Sequence, residues 1–157
     1  MQALNPVFNI QNQVGEAIRI HQKLKGAVLW DKIVDSLRKV RIPAPEVRAK
    51  DFPHQLSGGM RQRVVGAIGI SSAPSVIIAD EPTTSLDVTL QAAYLRLLRQ
   101  IQQEEGVAIV FITHDFGIVA KMCDRVAVMY AGRIVELSDV RTILDGPKHE
   151  YTKALIG

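Results

Sequence analysis

The stretch from Val76 to Asp115, "VIIADEPTTSLDVTLQAAYLRLLRQIQQEEGVAIVFITHD", decides the fold. It opens on a short apolar run, 76–79, that stops at Asp80 and Glu81. A run of that length, bounded by turn residues before and acids after, reads as a buried strand. Residues 88–105 then bring Leu90, Leu95, Leu98 and Ile101 to one side at helical spacing, and Gly106 suits the end of that helix. "VAIVFI" at 107–112 reads as a second buried strand, which stops short of His114. A short helix from Asp115 to Met122 follows, and "RVAVMY" at 125–130 reads as a third strand. Strand, helix, strand, helix, strand is the order of an α/β domain.

Working outward, "AGR" turns the chain into "IVEL", which predicts a hairpin, and Ser138 is placed to cap a last short helix through Leu144. Upstream, Ile10, Val14, Ala17, Ile18 and Leu24 fall near one face at helical spacing, and Leu29, Ile33, Val34, Leu37 and Val40 repeat the pattern. "RIPAPEVR" breaks it with two prolines. The first third is therefore a helical unit that ends in the loop before Leu56. Ser57 is an N-cap for a further helix with Met60, Val64, Val65 and Ile68 turned inward.

Composition narrows the class. One cysteine, Cys123, excludes an internal disulfide and fits a reducing compartment; it reads as a small buried apolar residue. No apolar run approaches the length of a membrane span, and no signal-peptide series is present. The net charge of +3 divides unevenly, +6 over residues 1–63 and −3 over 64–157. A basic half suits an anionic partner, but its lysines and arginines are dispersed and not interleaved with aromatics. That is the pattern of a solvated helix face more than of a nucleic-acid surface.

Three places carry chemistry. Asp80 and Glu81 stand at the C-terminal end of an apolar strand, the edge where open α/β sheets bind ligands. Asp80 there can hold Mg²⁺, mostly through water, and Glu81 can accept a proton from an attacking water. The plainer alternative is a strand end turning to solvent. His114, just past the second strand, can donate to a phosphate oxygen or orient water; taken alone it reads as a surface histidine. The third place is "PHQLSGGMRQRVVGAIG", Pro53–Gly69, where Ser57, Gly58 and Gly59 open a helix. Unpartnered N–H groups and the helix dipole favour an anion there, and glycines permit close backbone approach and unusual dihedrals. A nucleotide phosphate also calls for G-x-x-x-x-G-K-[ST], yet none of the 11 glycines is followed by Lys. Asp87 of "SLD" has a simple alternative role as the cap of the helix that follows.

The order of these pieces is more specific than any one of them. The chain resembles the nucleotide-binding subunit of ATP-binding cassette (ABC) transporters. "LSGGMRQR" is similar to the family signature, "VIIADE" to the Walker B strand, "TSLD" to the D-loop, and His114 to the switch histidine. "LNPVFNI", "FPHQLSGGMRQRV", "ADEPTTSLDVTLQA", "VFITHDFGIVA", "VMYAGRIVE" and "PKHEYTKAL" resemble the oligopeptide/dipeptide import subfamily over nearly the whole chain. Phe52, Ser85 and Glu150 depart from the Tyr, Ala and Pro that are common there.

The resemblance implies a partial P-loop NTPase fold: a parallel α/β sheet with an α-helical subdomain at its N-terminal end. Residues 1–72 would be the helical subdomain with the signature helix, 73–145 the C-terminal half of the ATPase core, and 146–157 the start of a C-terminal extension. In the family an adenine platform, a phosphate loop and a glutamine loop precede "LNPVF". The chain is thus expected to be an interior piece, and Met1 need not be a natural start. The phosphate-loop strand lies between the strands matching 107–112 and 125–130. Residues 76–79 and 107–112 are therefore expected to pair in parallel, with 125–130 either standing apart across a gap or collapsing inward. The isolated chain is expected to be marginally stable and without ATP turnover.

For function, the resemblance implies ATP and Mg²⁺, with Asp80 at the metal, Glu81 activating water and His114 stabilising the transferred phosphoryl group. Ser57, Gly58 and Gly59 would meet the nucleotide of a second ATP-binding subunit, paired head to tail, and Asp87 of the D-loop would be a further nucleotide-binding residue. Residues 1–55 would meet transmembrane permease subunits at the cytoplasmic face of the membrane, with no direct nucleic-acid partner. The subfamily implies peptides as the solute, with nickel and sugars among its relatives. Two other readings share parts of the pattern: a soluble cassette ATPase of DNA repair or chromosome structure, and a non-catalytic interaction remnant.

Overall fold

The computed structural model describes residues 3–84 and 86–156. They form two compact units, one made of the residues up to Ile78 with Pro82–Val110, the other of Ala79–Glu81 with the residues from Phe111 onward.

The first unit is built on helices. α1 (Ile10–Gln22) begins where Asn9 Oδ1 accepts the Asn12 N–H at 3.1 Å, and it ends at Lys23 in the left-handed region. α2 (Gly26–Lys39) follows. The two prolines after it do more than break the pattern. Pro45, pre-set to a helical φ, starts the short helix α3 (Pro45–Arg48). α4 (Gly58–Ser71) is capped by Ser57, whose Oγ accepts the Met60 N–H at 3.3 Å. α1, α2 and α4 pack on one another around Ile10, Val14, Ile18, Leu37, Val40 and Val64, all fully buried.

The inward face of α4 differs from expectation. Val64 is buried, but Met60, Val65 and Ile68 are only half-buried. The buried set is Gln62, Val64, Ala67, Ile70 and Ser71. α4 carries apolar residues almost all round, so periodicity points in no single direction.

β1 (Val76–Asp80) and β2 (Ala108–Ile112) are hydrogen-bonded neighbours, joined through α5 (Val88–Glu105). The Ala108 N–H donates to Ser75 C=O at 3.0 Å and the Glu81 N–H to Ile112 C=O at 2.9 Å, so the strands run in the same direction. Parallel strands need such a crossover. Asp87 Oδ1 accepts the Leu90 N–H at 2.9 Å at the start of α5, and Gly106 ends it in the left-handed region. Leu95, Leu98 and Ile101 are buried, whereas Leu90 is exposed.

The second unit holds α6 (Phe116–Met122), β3 (Arg125–Tyr130), β4 (Arg133–Asp139), α7 (Val140–Asp145) and α8 (Glu150–Ile156). β3 and β4 form the expected hairpin, turned by Ala131 and Gly132, both at positive φ. They make a separate sheet, and among the described residues no ladder joins β3 to β2. Ser138 does not cap α7. It is held opposite Val126 in the hairpin ladder, and the helix begins one residue later, after Asp139. Cys123 is half-buried, not enclosed.

The strands were expected to be buried, and they are not. Val76 is 52% exposed, Ile78 69%, Val110 50% and Ile112 49%. Continuous apolar strands are enclosed only when both sheet faces are covered. Here burial alternates along β1 and β2, so one face stays open. Among the described residues no helix is long and apolar enough to cross a membrane.

Candidate functional site

Asp80 closes β1 and is exposed. Glu81 follows with φ 44°, in the left-handed region that a non-glycine residue rarely takes. Its backbone N–H stays tied to Ile112 of β2. Its carboxylate Oε1 lies 2.7 Å from His114 Nδ1. The loop that presents His114 is itself braced. The Asp115 N–H donates to Thr113 Oγ1 at 3.1 Å, and Asp115 Oδ1 accepts the Gly117 and Ile118 N–H groups at 2.7 and 3.3 Å. Two residues far apart in sequence thus meet past the C-terminal ends of two parallel strands.

The chemistry of that pair follows from its donors. A carboxylate only accepts, so Nδ1 carries the proton and Nε2 is left for an outside partner. The His114 side chain is 79% exposed, which leaves the imidazole open to a ligand. For a metal, Asp80 offers one carboxylate. Among the described residues no group of three or more His, Cys, Asp or Glu could hold an ion. Mg²⁺ is commonly held by one or two carboxylates with water and substrate phosphates, and a single exposed Asp fits that mode.

In the other unit, Ser57, Gly58 and Gly59 open α4 as expected, but for a narrower reason. Neither glycine has a positive φ. A Cβ on Gly58 would meet only Arg61 Nη2, at 3.9 Å, so the space before this backbone is open. Gly59 faces Leu90, whose Cδ2 would lie 3.4 Å from a Cβ. The Arg61 Nη1 group donates to Leu56 C=O at 2.8 Å and secures the preceding turn. The Asp87 carboxylate is engaged as the cap of α5. Ser85, singled out in the same segment, lies outside the described residues.

One residue of this region was not anticipated. Gln62 is buried on α4, and its Nε2 donates to Pro82 C=O at 2.6 Å. Its side chain also bonds Tyr94 on α5. Burial pushes the Tyr94 hydroxyl up to about 12, against the opposing effect of the Gln62 bond. The available signal was an amide within an otherwise apolar helix.

A parallel strand pair with acids at its end, a crossover helix and a helix opened by Ser-Gly-Gly define part of an ATP-binding cassette. Solved structures share this fold. The dimeric post-hydrolysis state of the cassette MJ0796 bound to ADP and Pi matches 90% of this chain and 61% of its own, with TM-score 0.73 and 26% identity. An inward-facing metal-chelate type ABC transporter matches 92% and 57%, with TM-score 0.79 and 24% identity, a likeness of fold alone. The family model described as "ABC transporter" matches residues 3–84, and the chain belongs to that family.

Curated relatives are similar over almost all of this chain. The probable peptide ABC transporter ATP-binding protein y4tR of Sinorhizobium fredii is 48% identical over 99% of it. The dipeptide transport ATP-binding protein DppD of Bacillus subtilis is 47% identical over 100% of it. The glutathione import ATP-binding protein GsiA of Escherichia coli is 48% identical over 99% of it. The chain spans 47% of the length of the first two and 25% of the third.

Proposed function

We propose that the chain is part of the ATP-hydrolysing subunit of a transporter that imports peptides, acting at the cytoplasmic face of the membrane. The names of the relatives support the solute class. The observation that carries the chemistry is the 2.7 Å contact between Glu81 and His114 beyond two parallel strand ends.

In this reading water attacks the γ-phosphorus of ATP in line. The new P–O bond forms as the bond to the ADP oxygen breaks. Glu81 accepts the proton of the water. His114 donates Nδ1–H to that carboxylate, which fixes its orientation. Its Nε2, left open by that bond, is the atom that would meet the transferred phosphoryl oxygens. Asp80 would hold Mg²⁺ through water, where the ion supplies positive charge beside the phosphates.

Ser57, Gly58 and Gly59 serve the nucleotide of a second, head-to-tail subunit, and Asp87 is a further nucleotide-binding residue. The open backbone before Gly58 supports that role. Residues 1–55 face the permease subunits, within a helical subdomain of residues 1–72; 73–145 belong to the ATPase core and 146–157 open an extension.

The test is Glu81→Gln in the full-length subunit. The amide still holds water but takes no proton, so turnover is expected to fall roughly a hundredfold or more with ATP binding retained. Near-normal turnover would overturn the assignment.

A further inference from the structure

Gln62 is one of few buried polar residues among those described, and its bonds reach outside its own helix. Burying an amide is costly unless its groups are satisfied, and the Nε2–H of Gln62 is satisfied by one backbone atom, Pro82 C=O. Pro82 is buried too, and it directly follows Glu81. Glu81 therefore sits between two fixed points. On its N-terminal side its own N–H is bonded to Ile112 C=O at 2.9 Å. On its C-terminal side the next carbonyl is held by Gln62 at 2.6 Å. A side chain at φ 44° has no local preference for that conformation, so its direction depends on such restraints.

We infer that Gln62 is a positioning residue for Glu81: its amide clamps the backbone after Glu81 and so sets where the carboxylate points. The inference rests on the reading of Glu81 as the group that activates water. Tyr94 is the second partner of Gln62 and faces Gly66, whose Cβ position is 3.4 Å from the phenol oxygen.

The experiment uses the full-length subunit and measures kcat, KM for ATP and melting temperature. Gln62→Met keeps the volume and removes the donor. It is expected to lower kcat about tenfold, with KM for ATP changed less than about threefold. Tyr94→Phe, which leaves the donor to Pro82 in place, is expected to keep kcat near normal. In a Glu81→Gln background, Gln62→Met is expected to cause no further loss, because both act through one carboxylate. If Gln62→Met does not fold, Gln62→Asn takes its place; it keeps an amide one methylene too short to reach Pro82, and the same fall in kcat is expected. Unchanged kcat in a folded Gln62 variant, or a full additional loss on top of Glu81→Gln, overturns the inference. Normal turnover in Glu81→Gln alone overturns the reading of Glu81 instead, so the two failures are distinguishable.

Discussion

Glu81 and Ala131 both occupy the left-handed region without being glycine, and the contrast between them is informative. Each conformation costs about 1–2 kcal/mol for a residue with a Cβ. Ala131 spends it in an exposed two-residue turn, where Asn or Gly serves better. Ala131→Gly is therefore expected to stabilise the protein by about 0.5–1 kcal/mol, after allowing for the greater freedom of glycine when unfolded. Chemical denaturation checks this, and a lower midpoint would contradict it. At Glu81 the same strain holds a carboxylate against His114, and a glycine there removes the group itself. Strain at a turn is open to improvement; strain at the candidate site is tied to its chemistry.

At the scale of elements, α8 is secured by a side chain from another element. Glu136 on β4 accepts the Lys148 and His149 N–H groups at 2.9 and 3.0 Å. The Thr152 hydroxyl first, then those two N–H groups, hold the Glu136 carboxyl at about 2. The backbone pair is the firm part, since Thr152 Oγ1 makes no bond of full geometry. These bonds favour the charged form, so their contribution is complete above the ordinary carboxylate range and is lost as pH falls through the folded value. The protection factors of the Lys148 and His149 amides, taken relative to intrinsic exchange at each pH, are expected to be high at neutral pH and to fall between about pH 4.5 and 2. Protection unchanged across that window would rule the clamp out.

Elements with local causes were legible in the sequence. α5 was bounded by Asp87 and Gly106, α6 began at Asp115, and the β3–β4 hairpin followed from its turn. α8 was not, because its anchor lies 12 and 13 residues upstream, on a strand. The buried face of α4 was not, because every face of that helix is apolar enough to be one. Glu81 and His114 were each legible as the residue past a strand end. Their contact depends on strand pairing, which no local pattern encodes. Gln62 was hidden for the same reason, since its partner is a backbone carbonyl 20 residues away.

For the whole molecule, the open strand face matters most. Val76, Ile78, Val110 and Ile112 present apolar side chains to solvent, as do Met129, Tyr130, Ile134 and Leu137 on the hairpin. Exposed apolar patches beside unpaired strand edges favour association between copies. The purified 157-residue chain is expected to self-associate as its concentration rises, and Ile78→Lys to reduce this. Sedimentation velocity checks both. A chain that stays monomeric at high concentration would show that the open face is harmless.

The parallel pairing of β1 with β2 also bears on synthesis. The cluster of α1, α2 and α4 is complete by Ser71, so it can close while later residues are still being made. β1 leaves the ribosome next, and its hydrogen-bonding partner does not exist until all of α5 has followed. During that interval the Val76–Ala79 run is a nascent apolar segment still without β2 beside it. A slow codon run across α5 would lengthen the exposure, and a holding chaperone would act most usefully there.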